Sequence, residues 1–108
     1  MAARYRVEVT DPAASDLEEI VAYHLGVLVA PMAAKSLLDD FDCLVDELGQ
    51  TPGIYLKVRD KELSSQGYRW APLARSYAAF FVVDEDAQIV TIDRILYHPQ
   101  KWQGILGF

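Results

Sequence analysis

An α+β fold is what this chain of 108 residues predicts, and three observations carry the expectation. The opening RYRVEVT alternates apolar and polar with a period of two, two following segments carry apolar residues at helical spacing, and the second half returns to strand-like runs broken by turn residues. That order describes a leading strand, an antiparallel helical hairpin packed on one face of a small, mainly antiparallel sheet, and a short C-terminal helix. The other face of the sheet is expected to stay partly open.

In the leading strand Tyr5, Val7 and Val9 share one face, and Arg6 and Glu8 the other. Asp11 and Pro12 then mark a helix start, the carboxylate capping free N–H groups and the proline filling a first turn where its missing N–H costs nothing. Leu17, Ile20, Val21 and Leu25 continue as an apolar stripe, with Asp16, Glu18 and Glu19 in the first turns, where negative charge suits the helix dipole. Gly26 and Pro31 bracket the end of this helix. A second stripe, Ala34, Leu37, Leu38, Phe41, Leu44, Val45 and Leu48, keeps helical spacing throughout and is stopped by Gly49. Cys43 sits within this pattern beside Leu44, and core packing is its expected role. The short link between the two helices predicts an antiparallel hairpin.

Residues 50–66 hold Pro52, Gly53 and two serines without a sustained period, so a connecting loop is expected there, with a short strand at 54–58 as its one regular element. GYRWAPL, SYAAFFVV and QIVTIDRILY follow as strands. The last two form a hairpin across DEDA, and Pro72 marks the first as short or at a sheet edge. Strict alternation along the last strand puts Val90, Ile92 and Leu96 on the face that carries Arg94. PQKWQGILGF opens with a helix-compatible proline and sets Trp102, Ile105 and Leu106 at helical spacing.

A chain of this length holds one core, so residues 1–108 are expected to form a single domain, with room for a site but not for a cofactor-binding domain. No run of apolar residues is long enough to span a bilayer, and the N-terminus lacks the pattern of a signal peptide, which makes the cytoplasm the expected compartment. The net charge of −6 argues against a dedicated nucleic-acid binder. Its distribution softens that argument. Residues 1–53 carry three basic and ten acidic side chains, whereas residues 54–108 carry seven basic and six acidic. A local cationic patch on an acidic protein is therefore compatible with the sequence.

Motifs for phosphate loops, nucleophile elbows, paired cysteines and HExxH metal sites are absent, so no cofactor and no metal are expected. His24 and His98 are the two imidazoles; His24 lies one position before Leu25 and is expected as a packed or boundary residue. Lys57, Arg59 and Lys61 alternate along the loop, and Arg69 and Arg75 flank the next strand. Such cations beside aromatic residues can hold a phosphate backbone and stack a base, or they can be ordinary solvated surface. DRILYHPQKW is denser. A metal-free ribonuclease needs a base, a cation for the phosphate and an acid, and Tyr97, His98, Arg94 and Lys101 are of the right types. Equally, Tyr97 and Trp102 could close the core where strand meets helix, with Arg94 held by a carboxylate.

The phrases DPAASDLEEIVAYH, LGQTPG, GYRW, SYAAFFVVDED and VTIDRILYHPQKW, in this order, resemble the RelE/ParE toxins of type II toxin–antitoxin systems over nearly the whole chain. The resemblance implies a small α+β toxin neutralised by an antitoxin that wraps it, as a hetero-oligomer or a homodimer, with a role in plasmid stabilisation among those known for the family. RelE-like members cleave mRNA on the ribosome; ParE-like members poison DNA gyrase without a recognised nuclease site. For the RelE-like activity the resemblance implies Arg69, Arg94, Tyr97 and His98 as catalytic residues, with Lys57, Arg59, Arg75, Lys101 and Trp102 on the RNA. This activity, a metal-independent endoribonuclease, is the leading expectation. The gyrase inhibitor is the alternative, and a non-toxic member that only binds its antitoxin is a third. One departure counts against cleavage: where many members have arginine after the tyrosine of the third-strand motif, Tyr77 is followed by Ala78 and Ala79.

Overall fold

A computed structural model describes residues 4–98. Strand β1 (Arg6–Val9) leads into helix α1 (Asp11–Gly26) and helix α2 (Pro31–Gln50); a 3-10 turn (Pro52–Ile54) and a short helix α3 (Lys61–Ser65) precede β2 (Tyr68–Leu73), β3 (Tyr77–Asp84) and β4 (Ile89–Tyr97). The sheet order is β1-β4-β3-β2. β1 runs parallel to β4, and the other two pairings are antiparallel. This is the expected α+β architecture. The helix expected over PQKWQGILGF, with Lys101 and Trp102, falls outside the described residues.

The helices cover one face of the sheet. Leu37, Leu44 and Leu48 of α2 and Ala13 of α1 meet Ala71, Leu73, Ala79, Phe81, Val90, Ile92 and Ile95 of the strands in one buried cluster. Burying these side chains is the main force that closes the domain. The end of α2 is tied to the start of the chain, because the Gly49 carbonyl accepts the N–H groups of both Arg4 and Tyr5 at 2.8 Å.

Several local expectations are corrected. The cap of α1 is Thr10, whose hydroxyl accepts the Ala13 N–H at 3.2 Å, while Asp11 already lies inside the helix. Helix α2 runs one residue past Gly49, which is buried. Cys43 is exposed, because it falls outside the rows of α2 that face the sheet. The 50–66 segment is more structured than a loop, holding the 3-10 turn and α3, and the strand expected at 54–58 is reduced to a single bridge between Lys57 and Arg69. Hydrogen bonds from the Val58 N–H to the Tyr68 carbonyl and from the Trp70 N–H to the Leu56 carbonyl still cover part of the β2 edge.

The largest correction is in β4. Phe81 opposes Ile92 and Phe80 opposes Arg94, so Asp93 is an extra residue in a one-residue bulge. Val90 and Ile92 point into the core before it, and Ile95 after it. The parity therefore breaks at Asp93, and Arg94 does not share a face with Val90 and Ile92.

Candidate functional site

β1 reaches β4 only as far as Val9 opposite Ile92. Beyond that point the edge of β4 is taken over by the start of α1. The Thr10 N–H bonds the Ile92 carbonyl at 3.1 Å and the Thr10 hydroxyl donates to the Asp93 carbonyl at 2.8 Å. One turn further, Asp16 accepts the Ile95 N–H at 3.0 Å and takes both Nε and Nη2 of Arg94, at 2.7 and 2.9 Å. The bulge redirects Arg94 toward this helix. Its bidentate pair is a charge-assisted contact of the stronger kind. The Arg94 bond, opposed by partial burial and helped by the Ile95 N–H, holds the Asp16 carboxyl below its ordinary range.

Arg69 is placed differently. It lies in the row that pairs with Phe81, on the helix-covered face, whereas Arg94 lies in the adjacent row with Phe80 and Trp70. Successive rows point to opposite faces of a sheet, and with β3 between them the two arginine backbones are about 10 Å apart. Arg69 Nη1 donates to the Tyr55 carbonyl at 2.5 Å, which fixes the 3-10 segment to β2. Each of the two arginines expected at one phosphate is thus held by a protein oxygen at a different place.

His98 follows β4 directly and is the last described residue. Its N–H bonds the Ser76 carbonyl at 2.6 Å, and its ring lies against Trp70, centroids 5.0 Å apart and tilted by 30°. Tyr68, two residues before Trp70, donates its hydroxyl to Asp93 at 3.0 Å. Tyr97 is 71% exposed and meets Tyr77 edge to face at 6.0 Å, and Tyr77 in turn lies 6.0 Å from His24. Burial, with Tyr23 and Tyr97 nearby, raises the Tyr77 phenol above its ordinary value, so it stays protonated at neutral pH. Lys57 and Arg59 are exposed beside the β2 edge, and Arg75 lies in the β2–β3 turn, where it lines a cleft with His24, Ser36 and Asp40. His24 is half-buried, as expected, and donates Nδ1–H to the Ile20 carbonyl at 2.9 Å.

Three contributors were not singled out from the sequence. Tyr68 and Trp70, alternate residues of GYRW, carried a usable signal, since two aromatics with a period of two share a strand face. Asp16 carried none, because nothing local pairs it with a residue 78 positions away. Ala78 and Ala79 are both fully buried, so the departure from the basic third-strand pattern is also a packing requirement: an arginine at either position would bury its charge. No cluster of three or more metal-ligating side chains occurs among the described residues, and no described helix is long and apolar enough to cross a membrane.

The described residues define a small α+β domain with an aromatic row on the sheet face away from the helices and two structurally engaged arginines. A family model described as the ParE toxin of type II toxin–antitoxin system, parDE, matches residues 7–102, and the chain belongs to that toxin family. Among solved structures it is similar to the chromosomal ParDE toxin–antitoxin system from P. aeruginosa, with a TM-score of 0.68 and 24% identity over 88% of this chain and 97% of that one. It is also similar to the RelBE2 toxin–antitoxin complex from Mycobacterium tuberculosis, with a TM-score of 0.59 and 19% identity over 88% of this chain and 99% of that one. At these identities the likeness is one of fold. No curated protein sequence matches the chain.

Proposed function

We propose that this toxin is of the ParE type and acts in the cytoplasm by binding a protein target, DNA gyrase, rather than by cutting RNA, and that a cognate antitoxin holds it inactive. The observation that carries this reading is the engagement of Arg94 by Asp16. A phosphoryl-transfer site needs a cation aimed at the equatorial oxygens and a base within about 3 Å of the attacking hydroxyl. Here one expected cation is neutralised by a carboxylate, the other lies on the opposite face, and the net charge of −6 gives no help in gathering RNA. The family match supports the same reading.

The test is supercoiling of relaxed plasmid by purified gyrase in the presence of the purified chain, run beside a cell-free translation reaction in which the transcript is followed on a gel. Blocked supercoiling with intact transcript is expected. Unaffected supercoiling together with ribosome-dependent transcript cleavage would sink the proposal.

The RelE-like reading keeps one observation in its favour: His98 lies against Trp70, on the sheet face that carries Phe80 and Arg94. In that reading His98 moves a proton and Arg94 leaves Asp16 to hold the phosphate on that face, Lys57, Arg59 and Arg75 contact the RNA, and Arg69 and Tyr97, on the helix-covered side, keep structural roles. Cleavage would then fall about 10²-fold in His98→Ala. Normal growth on expression without an antitoxin would instead identify a non-toxic member.

A further inference from the structure

A cleft of ≈ 530 Å³ lies where the helices meet the β2–β3 turn, lined by His24 of α1, by Ser36, Leu37 and Asp40 of α2, and by Arg75 and Tyr77 from the sheet side. That volume is within the range of roughly 300–1,000 Å³ in which proteins hold small molecules. Leu37 belongs to the core, and the half-buried rings of His24 and Tyr77 lie 6.0 Å apart, so part of the lining is apolar and aromatic. Ser36 and Asp40 are four residues apart on α2 and share one face of the helix. Ala74, which also lines the cleft, takes φ +52°, a left-handed conformation that a residue with a Cβ adopts at a cost. The turn it begins carries Arg75 to the cleft.

Arg75 and Asp40 line this one cleft from opposite layers, yet they do not pair. The ion pairs among the described residues join Arg6 to Glu8, Lys35 to Asp39 and Arg94 to Asp16. Neither the Arg75 nor the Asp40 side chain has a hydrogen-bond or ion-pair partner among the described residues. A single exposed charge is ordinarily just solvated. Two of opposite sign on one concave, partly aromatic surface, not closed on each other, leave a place for a body that answers both. His24 adds an acceptor, because its Nδ1–H is committed to the Ile20 carbonyl at 2.9 Å and Nε2 keeps its lone pair.

We infer that this cleft binds a small zwitterion with a flat apolar body: its carboxylate on the Arg75 guanidinium, its ammonium on Asp40, and its body against Leu37, His24 and Tyr77. A carboxylate suits the two-pronged geometry of arginine, and an ammonium in a partly enclosed site needs an anionic acceptor. Charge selects among occupants. A simple anion meets Asp40 and a hairpin whose residues 11–50 carry nine acidic side chains against one basic. A simple cation meets Arg75, and a neutral apolar molecule leaves both charges unanswered. The site is also separate from the aromatic row of the sheet. Tyr77 pairs with Leu73 and Tyr97, whereas Phe80, three residues on, pairs with Trp70 and Arg94 and points to the other face. Binding here is therefore independent of whether the toxin acts on gyrase or on RNA.

The experiment titrates para-(aminomethyl)benzoate into the full chain and follows backbone amide shifts by NMR. Benzylamine and para-methylbenzoate, which keep the ring and one charge each, are titrated beside it. Saturable shifts clustered at Ser36, Asp40, Arg75 and Ser76 are expected for the zwitterion, and each half is expected to bind at least about tenfold more weakly. Arg75→Gln and Asp40→Asn remove one charge apiece from exposed, unpartnered positions, so the fold is kept, which thermal melts verify. Each variant is expected to lower the affinity for the zwitterion to that of the matching half on the parent chain. The absence of saturable shifts overturns the inference, as does comparable binding of either half. Shifts confined to another surface, or a folded Arg75→Gln or Asp40→Asn protein that binds the zwitterion as the parent does, overturn it equally.

Discussion

Asp16 on α1 holds Arg94 on β4 through two hydrogen bonds of 2.7 and 2.9 Å while its Oδ2 also accepts the Ile95 N–H at 3.0 Å. One carboxylate thereby replaces the neighbour that β4 lacks once β1 has ended at Val9. The contact joins the helical layer to the sheet at the bulge, and it occupies the residue on which an RNA-cleaving site would depend.

Asp16→Ala is expected to destabilise the domain by about 1–3 kcal/mol, because it leaves both the Ile95 N–H and the arginine without their acceptor. Arg94→Ala is expected to cost less. Its side chain is 48% exposed against 13% for Asp16, and its removal leaves the Asp16 bond to Ile95 intact. Urea unfolding of the two variants and the double variant measures the coupling; an Asp16→Ala protein as stable as the parent would contradict this account.

The same carboxyl contributes to acid sensitivity. Its folded pKa lies below the ordinary 3.8, chiefly through the Arg94 bond. Asp16 therefore adds stability that is present above the unfolded value and is lost as pH falls through the folded one. At the alkaline end, burial and the Glu47 bond raise the Tyr55 phenol, whose contribution is present below its unfolded value near 10 and disappears as pH climbs past it. Thermal melts between acid and neutral pH should show a shallower acid decline in Asp16→Asn than in the parent, and Tyr55→Phe should be the less sensitive protein above pH ~10.

Restoring the basic residue that many relatives carry after the strand tyrosine is expected to fail. Ala78→Arg and Ala79→Arg must each place a guanidinium where the parent side chain is fully buried, at a cost of about 3 kcal/mol or more. Circular dichroism melts or soluble yield report the loss. Either variant folding with parental stability and gaining RNA cleavage would show that the site had lost only one residue.

Thr10→Ala is expected to cost about 1–2 kcal/mol and Asp11→Ala only a few tenths, because the hydroxyl of Thr10 both caps α1 and bonds the Asp93 carbonyl, whereas the Asp11 charge acts through the helix dipole. Chemical denaturation of the two single variants decides it. The reverse order would restore Asp11 as the cap.

Local pattern accounts for much of what was legible beforehand. Alternation in RYRVEVT, the unbroken stripe from Ala34 to Leu48, and the edge position of Pro72 are properties of a few neighbouring residues, so the two long helices, the four strands, their order and the α+β class could be determined from the sequence by itself, and with them the family. The facing of Arg94 could not. It depends on an extra residue at Asp93, which exists only relative to Phe80 and Phe81 on the paired strand, and on a carboxylate 78 positions earlier. Likewise Arg69 looked like a phosphate ligand until cross-strand pairing with Phe81 put it on the helix-covered face beside Tyr55. Periodicity states which residues share a face of one element. Which face that is, and what partner waits there, is decided when the elements pair and dock, and only the tertiary structure records it.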